Sequence, residues 1–484
     1  MYSSEDLERF YFQYQTEAMP KGISIEQFCS RNKVIDIKKK RSVMKNFIEM
    51  FFLMLNQEKI KYAVLRNYDL LPNSLDGSDI DMWVEQEDCE RFFNLTMAKA
   101  EEYGGHLVSY IWKRHEPKIC LMGADWGVQI DVYTGLVPIG NYEFYTGEII
   151  ARHIVEHNGI KVISKKWCAI ESLLKEVLNT GNCDRKDKFY NEAHDAIAEI
   201  DEEELKEGLP MFSDNYIKIL KKVGKEAKSK CLIDRIYEEG RKELTKKVKG
   251  ATFDKVAKFK RLLKRPGYMI AILGTDGAGK SAIYESMLPH LKDAFHNGMH
   301  YRHLRPHMLP DIGVLIGKRE RVENVKVCAN PHAKKSSGFI GSLIRLAYYL
   351  QDYIWGYWLK IWPKIAIHAD VYVMDRYYYD YYIDQTRSLT NLPNWIIKFF
   401  DIFVPSPDVI ICLGGNPEKI FERKPETSLE DVKNQTAALH DFCNSHKKAF
   451  WVDTTEYDLE TSTKIALKGL AERMGKRFKD IKKL

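Results

Sequence analysis

The sequence holds no uninterrupted apolar run long enough to cross a bilayer, which excludes a helical membrane span. Its nine cysteines are scattered and form no C-x-x-C pair. That spacing argues against a disulfide framework and against a zinc site, and for reduced thiols. No long repeat and no low-complexity tract occurs. Neither charge sign dominates: 74 Lys and Arg face 68 Asp and Glu, for a net charge of +6. Such a mild excess suits phosphorylated ligands, and nucleic acid is not the expected partner. The first residues, Met1 to Asp6, are acidic and lack the basic-then-apolar pattern of a signal peptide. The expected location is therefore cytoplasmic.

What the chain does have is length and core. Its 484 residues at 45% hydrophobic content allow two to three domains. Four parts are expected. Residues 1–44 form a helical lead, in which Ser24 and Gln27 are a capping-box candidate. Residues 45–165 alternate helix and strand signals. Residues 166–265 are helical and charge-rich. Pro266-Gly267 then breaks the chain, and residues 266–484 alternate strands with helices as a parallel α/β sheet does.

The run Gly274-Thr275-Asp276-Gly277-Ala278-Gly279-Lys280-Ser281 fits G-x-x-x-x-G-K-[ST] without a mismatch. An apolar strand pattern precedes it and a helix pattern follows, the context a phosphate-binding loop requires. Backbone N–H groups would converge on a phosphate at the helix N-terminus. Lys280 would reach the β/γ-phosphates of ATP and Ser281 would hold Mg²⁺. Val371 to Arg376 reads as a buried strand ending in Asp375-Arg376. Chemistry in such sheets sits at strand carboxyl ends. Asp375 could orient or deprotonate an acceptor or organise Mg²⁺, and Arg376 could grip an oxyanion with its planar fork. Asp380, Asp384 and Arg387 are pocket candidates. The tyrosines from Tyr377 to Tyr382 mostly fit core packing. Arg423 and Lys424 have the character of a lid closing over phosphates.

A second constellation lies upstream. Asp79 and Asp81, at i and i+2 on a strand, point the same way. Asp131 lies on another strand pattern. Three carboxylates from two strands can hold Mg²⁺ for nucleotidyl transfer.

These motifs carry two resemblances. Residues 268–484 resemble the thymidylate-kinase-like branch of P-loop kinases, through Gly274–Ser281, His303 to Pro306, Asp375 to Tyr377, Pro407-Asp408 and Arg423-Lys424. The resemblance implies a nucleoside monophosphate kinase-type sheet, ATP with Mg²⁺ as donor, and a small phosphorylated or hydroxylated acceptor. It also implies that Arg305 and Arg376 contact acceptor phosphate and that Asp276 contacts an acceptor sugar. The subgroup occurs as fusions in bacterial surface-polysaccharide gene neighbourhoods. Departures from the pattern are Ala282, where Thr is usual, Gly414-Gly415 in place of an Asp turn, and a basic insert from Lys318 to Tyr349 carrying His332, Lys334 and Lys335. Asp79, Asp81 and Asp131 resemble the nucleotidyltransferase signature, which implies an α+β mixed sheet. There Arg66 stands where a glycine pair is usual, and it could substitute as a phosphate ligand.

Three readings stay open. One is a kinase joined to a nucleotidyltransferase-like domain. Another makes nucleotidyl transfer to a sugar phosphate or alcohol the main reaction. The last is a non-catalytic nucleotide-gated switch, with residues 1–41 binding DNA or a partner. The sequence does not decide whether the chain forms a homodimer.

Overall fold

The computed structural model describes residues 36–75, 77–183, 187–246, 251–296, 298–306, 309, 338–384 and 390–481. The first part runs α1 (Asp36–Gln57), β1 (Tyr62–Val64), β2 (Ile80–Val84), α2 (Cys89–Glu102), β3 (His106–Ile111), β4 (Lys118–Met122) and β5 (Gly127–Thr134). A ribbon of β6 (Leu136–Ile139) and β7 (Tyr142–Thr146), the short α3 (Gly147–Arg152), β8 (Ile154–His157) and β9 (Ile160–Ile163) follow. Five helices come next: α4 (Lys165–Thr180), α5 (Asp187–Glu199), α6 (Glu202–Gly208), α7 (Asp214–Lys221) and α8 (Lys230–Glu243). Helix α9 (Ala251–Leu263) leads to β10 (Tyr268–Gly274), α10 (Lys280–Ala294) and β11 (Met299–His303). Then come α11 (Phe339–Gly356), β12 (Val371–Asp375), α12 (Asp380–Ile383), α13 (Asn394–Asp401) and β13 (Val409–Gly414). The chain closes with α14 (Pro417–Arg423), α15 (Leu429–Ser445), β14 (Ala449–Asp453) and α16 (Leu459–Gly475).

Burial explains the strand sequences. Strands β10, β12 and β13 are buried at every position, and they read as continuous apolar runs because helices cover both faces of a parallel sheet. That sheet has five parallel strands in the order β11-β12-β10-β13-β14. The other is mixed, with seven strands in the order β3-β4-β5-β2-β1-β9-β8. Its β2 and β5 run parallel, while β4 is antiparallel to β5.

One hydrophobic cluster runs through both sheets, from Phe47 to Phe478. Helix α10 lies against β5 and α16 lies against β3. A Cβ on Gly127 would sit 2.5 Å from the His290 carbonyl oxygen, so only glycine lets β5 approach α10 this closely. Ser109 Oγ donates to the Pro266 carbonyl at 2.8 Å across the same boundary. The buried Tyr268 hydroxyl meets the carbonyls of Val108 and Met474.

Among the described residues no helix is long and apolar enough to cross a membrane. The described cysteines are free thiols. The Ser24 cap, Arg387, His332, Lys334 and Lys335 lie outside the described residues.

Candidate functional site

Strand β10 delivers the chain into the glycine loop at the centre of the parallel sheet, where the strand order reverses direction. Gly277 and Gly279 hold left-handed conformations, with φ of +87° and +84°. A Cβ on Gly277 would lie 2.6 Å from the Ile420 carbonyl oxygen and 3.3 Å from Lys424 Cβ. The residues expected to form a lid therefore border the loop. Lys280 opens α10, and its ammonium donates to the carbonyls of Gly274 at 2.9 Å and Thr275 at 3.0 Å. It lies 3.9 Å from Asp276. Burial first, and then the Arg376 charge, pull Lys280 down to about 7, against the opposing pull of nearby carboxylates. Ala278 is buried, and Ser281 is exposed in the first turn of α10.

The neighbouring strand brings Asp375 to the base of this loop, since its register pairs Asp375 with Ile272. Tyr301 donates its hydroxyl to Asp375 Oδ2 at 2.8 Å, and His303 Nδ1 lies 3.1 Å from the same oxygen. Burial would raise Asp375, but the His303 hydrogen bond and the charges of Lys280 and Arg376 outweigh it and hold the carboxyl at about 2. Arg376 has a φ of +69°, a left-handed conformation costly for a residue with a side chain. Its buried guanidinium spans Asp276 at 2.7 Å and Asp380 at 2.9 Å. Three buried polar atoms here, Thr275 Oγ1, Asp375 Oδ1 and Arg376 Nε, have no hydrogen-bond partner among the described residues. Polar atoms buried this way leave room for water, an ion or a ligand to complete them.

The remaining expected residues are spread around this centre. Arg423 donates to the Thr454 carbonyl at 2.8 Å, and Lys424 pairs with Glu426 at 3.1 Å. Arg305 is buried, ion-paired with Asp352 of α11, and stacked 4.5 Å from the Tyr349 ring centre. Asp384 is buried just after α12. Tyr377 and Tyr378 are fully buried, and their hydroxyls donate to the carbonyls of Pro405 and Ile397. They pack the core.

The carboxylate triad forms where β2 meets β5. Parallel register places Asp81 directly beside Asp131, and Asp79 precedes β2 on the same side. Carboxylate oxygens of Asp79, Asp81 and Asp131 all lie within 4.8 Å of one another. Two of the three acids have their own cation. Arg66 holds Asp81 through a bidentate pair at 2.5 and 2.7 Å. Burial opposes the Arg66 charge, but Asp81 overrides it and keeps the guanidinium protonated. Lys118, the first residue of β4, sits opposite Asp131 in register and pairs with it. Burial, opposed by Lys118 and aided by Asp79 and Asp81, pushes Asp131 up to about 7. Gln129, fully buried, donates to Asp131 Oδ1 at 2.9 Å. Arg66 also lines a cavity of about 500 Å³, with Lys165, Lys166, Ser172, Lys188 and Phe189 among its walls.

Sequence reasoning named the three acids and Arg66. It missed Lys118, Gln129 and His296, which joins the site from the end of α10. The alternation of β4 and β5 carries the only signal for Lys118, as a cross-strand opposite-charge pair. The donor chemistry at both centres fits a divalent cation. Ser281 and Asp375 are the candidates at the loop, and three clustered carboxylates are present at the triad.

No family model and no curated protein matches the chain. Among solved structures, a thymidylate kinase from Ehrlichia chaffeensis aligns at 13% identity over 42% of this chain and 97% of that one. The TM-score is 0.29. A likeness of that size carries no argument for fold or activity.

Proposed function

We propose that the chain is an ATP-dependent phosphotransferase acting on a small phosphorylated or hydroxylated acceptor, with a nucleotidyltransferase-like part attached. One observation carries this reading. The glycine loop at the N-terminus of α10 stands beside Asp375 and Arg376, and three buried polar atoms there have no partner among the described residues. The proposed parts are residues 1–44, 45–165, 166–265 and 266–484.

The chemistry follows from the side chains. The bond from the γ-phosphorus to its bridging oxygen breaks, ADP leaves, and the acceptor oxygen bonds to phosphorus. Loop N–H groups and the α10 dipole hold the donor phosphates. Lys280, charged once phosphate faces it, neutralises the developing negative charge. Arg376 is preorganised by Asp276 and Asp380 to meet equatorial or acceptor oxygens. Asp375, held at about 2, is a weak base near neutral pH. It orients the acceptor hydroxyl or helps hold Mg²⁺, and the proton leaves to water or to the product phosphate. Ser281 and Asp375 would hold Mg²⁺, which when bound offsets charge on the donor phosphates. Arg423 and Lys424 close the site from above the loop.

A second reaction, nucleotidyl transfer, is supported by the convergence of Asp79, Asp81 and Asp131 within 4.8 Å. Those acids would hold Mg²⁺, with Arg66 and Lys118 turned toward triphosphate instead of carboxylate. Incubation with labelled ATP and pools of nucleoside monophosphates, sugar phosphates and polyols tests both. Mass spectrometry should show an acceptor gaining one phosphoryl group. Gain of a nucleotidyl group would favour the triad, and no labelled product from any pool would sink both readings.

A further inference from the structure

We propose that Gln129 is a positioning residue that ties the carboxylate triad to the glycine-loop helix, so that nucleotide on the loop tightens divalent cation binding at the triad. The inference rests on the reading of both centres given above.

Gln129 sets both ends of its side-chain amide at this junction, and its Oε1 also accepts from Cys120 Sγ at 3.8 Å. It is fully buried on β5. Its Nε2 lies 2.9 Å from Asp131 Oδ1 and 3.4 Å from Asp79 Oδ2. Its Oε1 accepts the backbone N–H of His296 at 3.2 Å. The amide can be oriented only this way. Turned over, it would set its oxygen against two carboxylates and its NH₂ against an N–H donor. One side chain therefore reads the triad with one end and the end of α10 with the other.

Helix α10 makes the link mechanical. It runs from Lys280 to Ala294, about 22 Å at the usual helical rise, with Pro289 inside its C-terminal half. Its N-terminus is the glycine loop, and His296, two residues past its last turn, meets Gln129. Just past Pro289 the helix is packed on the strand, because Gly127 brings β5 into direct contact with the His290 carbonyl. Asp131 lies two residues beyond Gln129 on the same strand face. The His296 ring is also close enough for Asp79 and Lys118 to act on its charge. Its Nε2 is buried with no hydrogen-bond partner among the described residues. Phosphate at the loop orders the start of α10, and the helix, packed along β5, passes that order to Gln129 and from there to the carboxylates. Linkage requires the reverse effect to be equal.

The test uses the full chain, ADP and Mn²⁺. Hydrogen exchange in divalent-free buffer first reports whether ADP protects residues 274–281. Paramagnetic resonance titration then gives Mn²⁺ affinity with and without ADP, and Asp79→Asn supplies the background of Mn²⁺ carried by ADP itself. ADP should tighten the triad site roughly tenfold in the native chain. In Gln129→Met that shift should fall below about twofold, while ADP protection of the loop persists. A second pair removes only the donor. His296→Ala keeps the N–H and should keep the shift, whereas His296→Pro lacks it and should lose the shift. Phe295 before it is non-helical (φ −131°, ψ 89°), outside the α region that a following proline disfavours. An equal shift in Gln129→Met and His296→Pro, or no shift in a native chain whose loop ADP protects, overturns the coupling. No protection of the loop by ADP overturns the phosphate site itself, and the coupling falls with it.

Discussion

At the glycine loop one buried guanidinium, that of Arg376, spans two carboxylates, Asp276 and Asp380. At the triad each of two buried carboxylates has a cation to itself, Arg66 for Asp81 and Lys118 for Asp131. The difference governs what a ligand must undo. A shared network can re-divide when phosphate arrives, because Lys280 and Arg376 each keep a partner throughout. A dedicated pair must open before a metal ion can use its carboxylate, and opening leaves a charge to be satisfied elsewhere. Phosphate is the natural guest of the first arrangement. The second needs a metal ion and an anion together, the ion for the acids and the anion for the displaced cations.

The largest expected effect comes from breaking the shared network at its centre. Lys280→Ala should lower ATP turnover by roughly 10²–10³-fold while thermal unfolding stays cooperative. Labelled-phosphate release and a thermal melt on the same preparation decide it, and undiminished turnover would remove the kinase assignment. At the other centre, Asp79→Asn should weaken Mn²⁺ binding by roughly 10–100-fold and leave metal-free ADP binding at the loop nearly unchanged, as read by resonance titration and calorimetry. If both quantities fell together, the two centres would not be separable.

Smaller effects sharpen the contrast in charge handling. Arg66→Ala leaves Asp81 buried without its cation and, with Arg66 itself 31% exposed, should cost about 1–3 kcal/mol in urea unfolding with chelator present. Saturating Mn²⁺ should recover most of that loss, because the ion takes over the cation's role. Failure to recover would mean that the acids do not hold metal. The smallest effect is a proton. Lys280 sits at about 7 in the folded chain, against an ordinary value near 10.5. The unfolded chain thus binds more protons between pH 7 and 10.5. The penalty for charging Lys280 is complete below pH 7 and relaxes as pH rises across that window. Nucleotide binding at pH 8 should take up about one proton, visible by calorimetry in buffers of different ionisation enthalpy. Zero uptake would show a lysine already charged.

How much of this was legible depended on contiguity. The glycine loop is eight consecutive residues whose spacing is itself the geometry, so its position before α10 could be read directly. The acids at 79 and 81 were legible because strand alternation puts i and i+2 on one side. Their meeting with Asp131 depends on the register of β2 with β5, which no local pattern encodes. Arg66 stood out by its position, but its bidentate partner did not. Lys118 and Gln129 reach the triad from the consecutive strands β4 and β5, His296 from far downstream after α10, and each looks ordinary alone. Arg305 matched a phosphate-contacting motif, yet the fold sets it beside Asp352 in the interior of α11, where a helical Asp gives no advance sign of a buried cation. Tyr377, Tyr378, Tyr379 and Tyr381 read correctly as core, since aromatic density at a buried strand end leaves little else for them to do.

The close approach at Gly127 also bears on how the protein comes apart. Its apolar interior continues from the mixed sheet into the parallel one, so neither sheet has a finished surface of its own where they meet. A chain built in this way should melt once, in a single calorimetric transition, and a cut near Pro266 should yield two fragments that aggregate. Either half could then drift in sequence only as far as the other tolerates, and the pair would be inherited, expressed and lost as a unit.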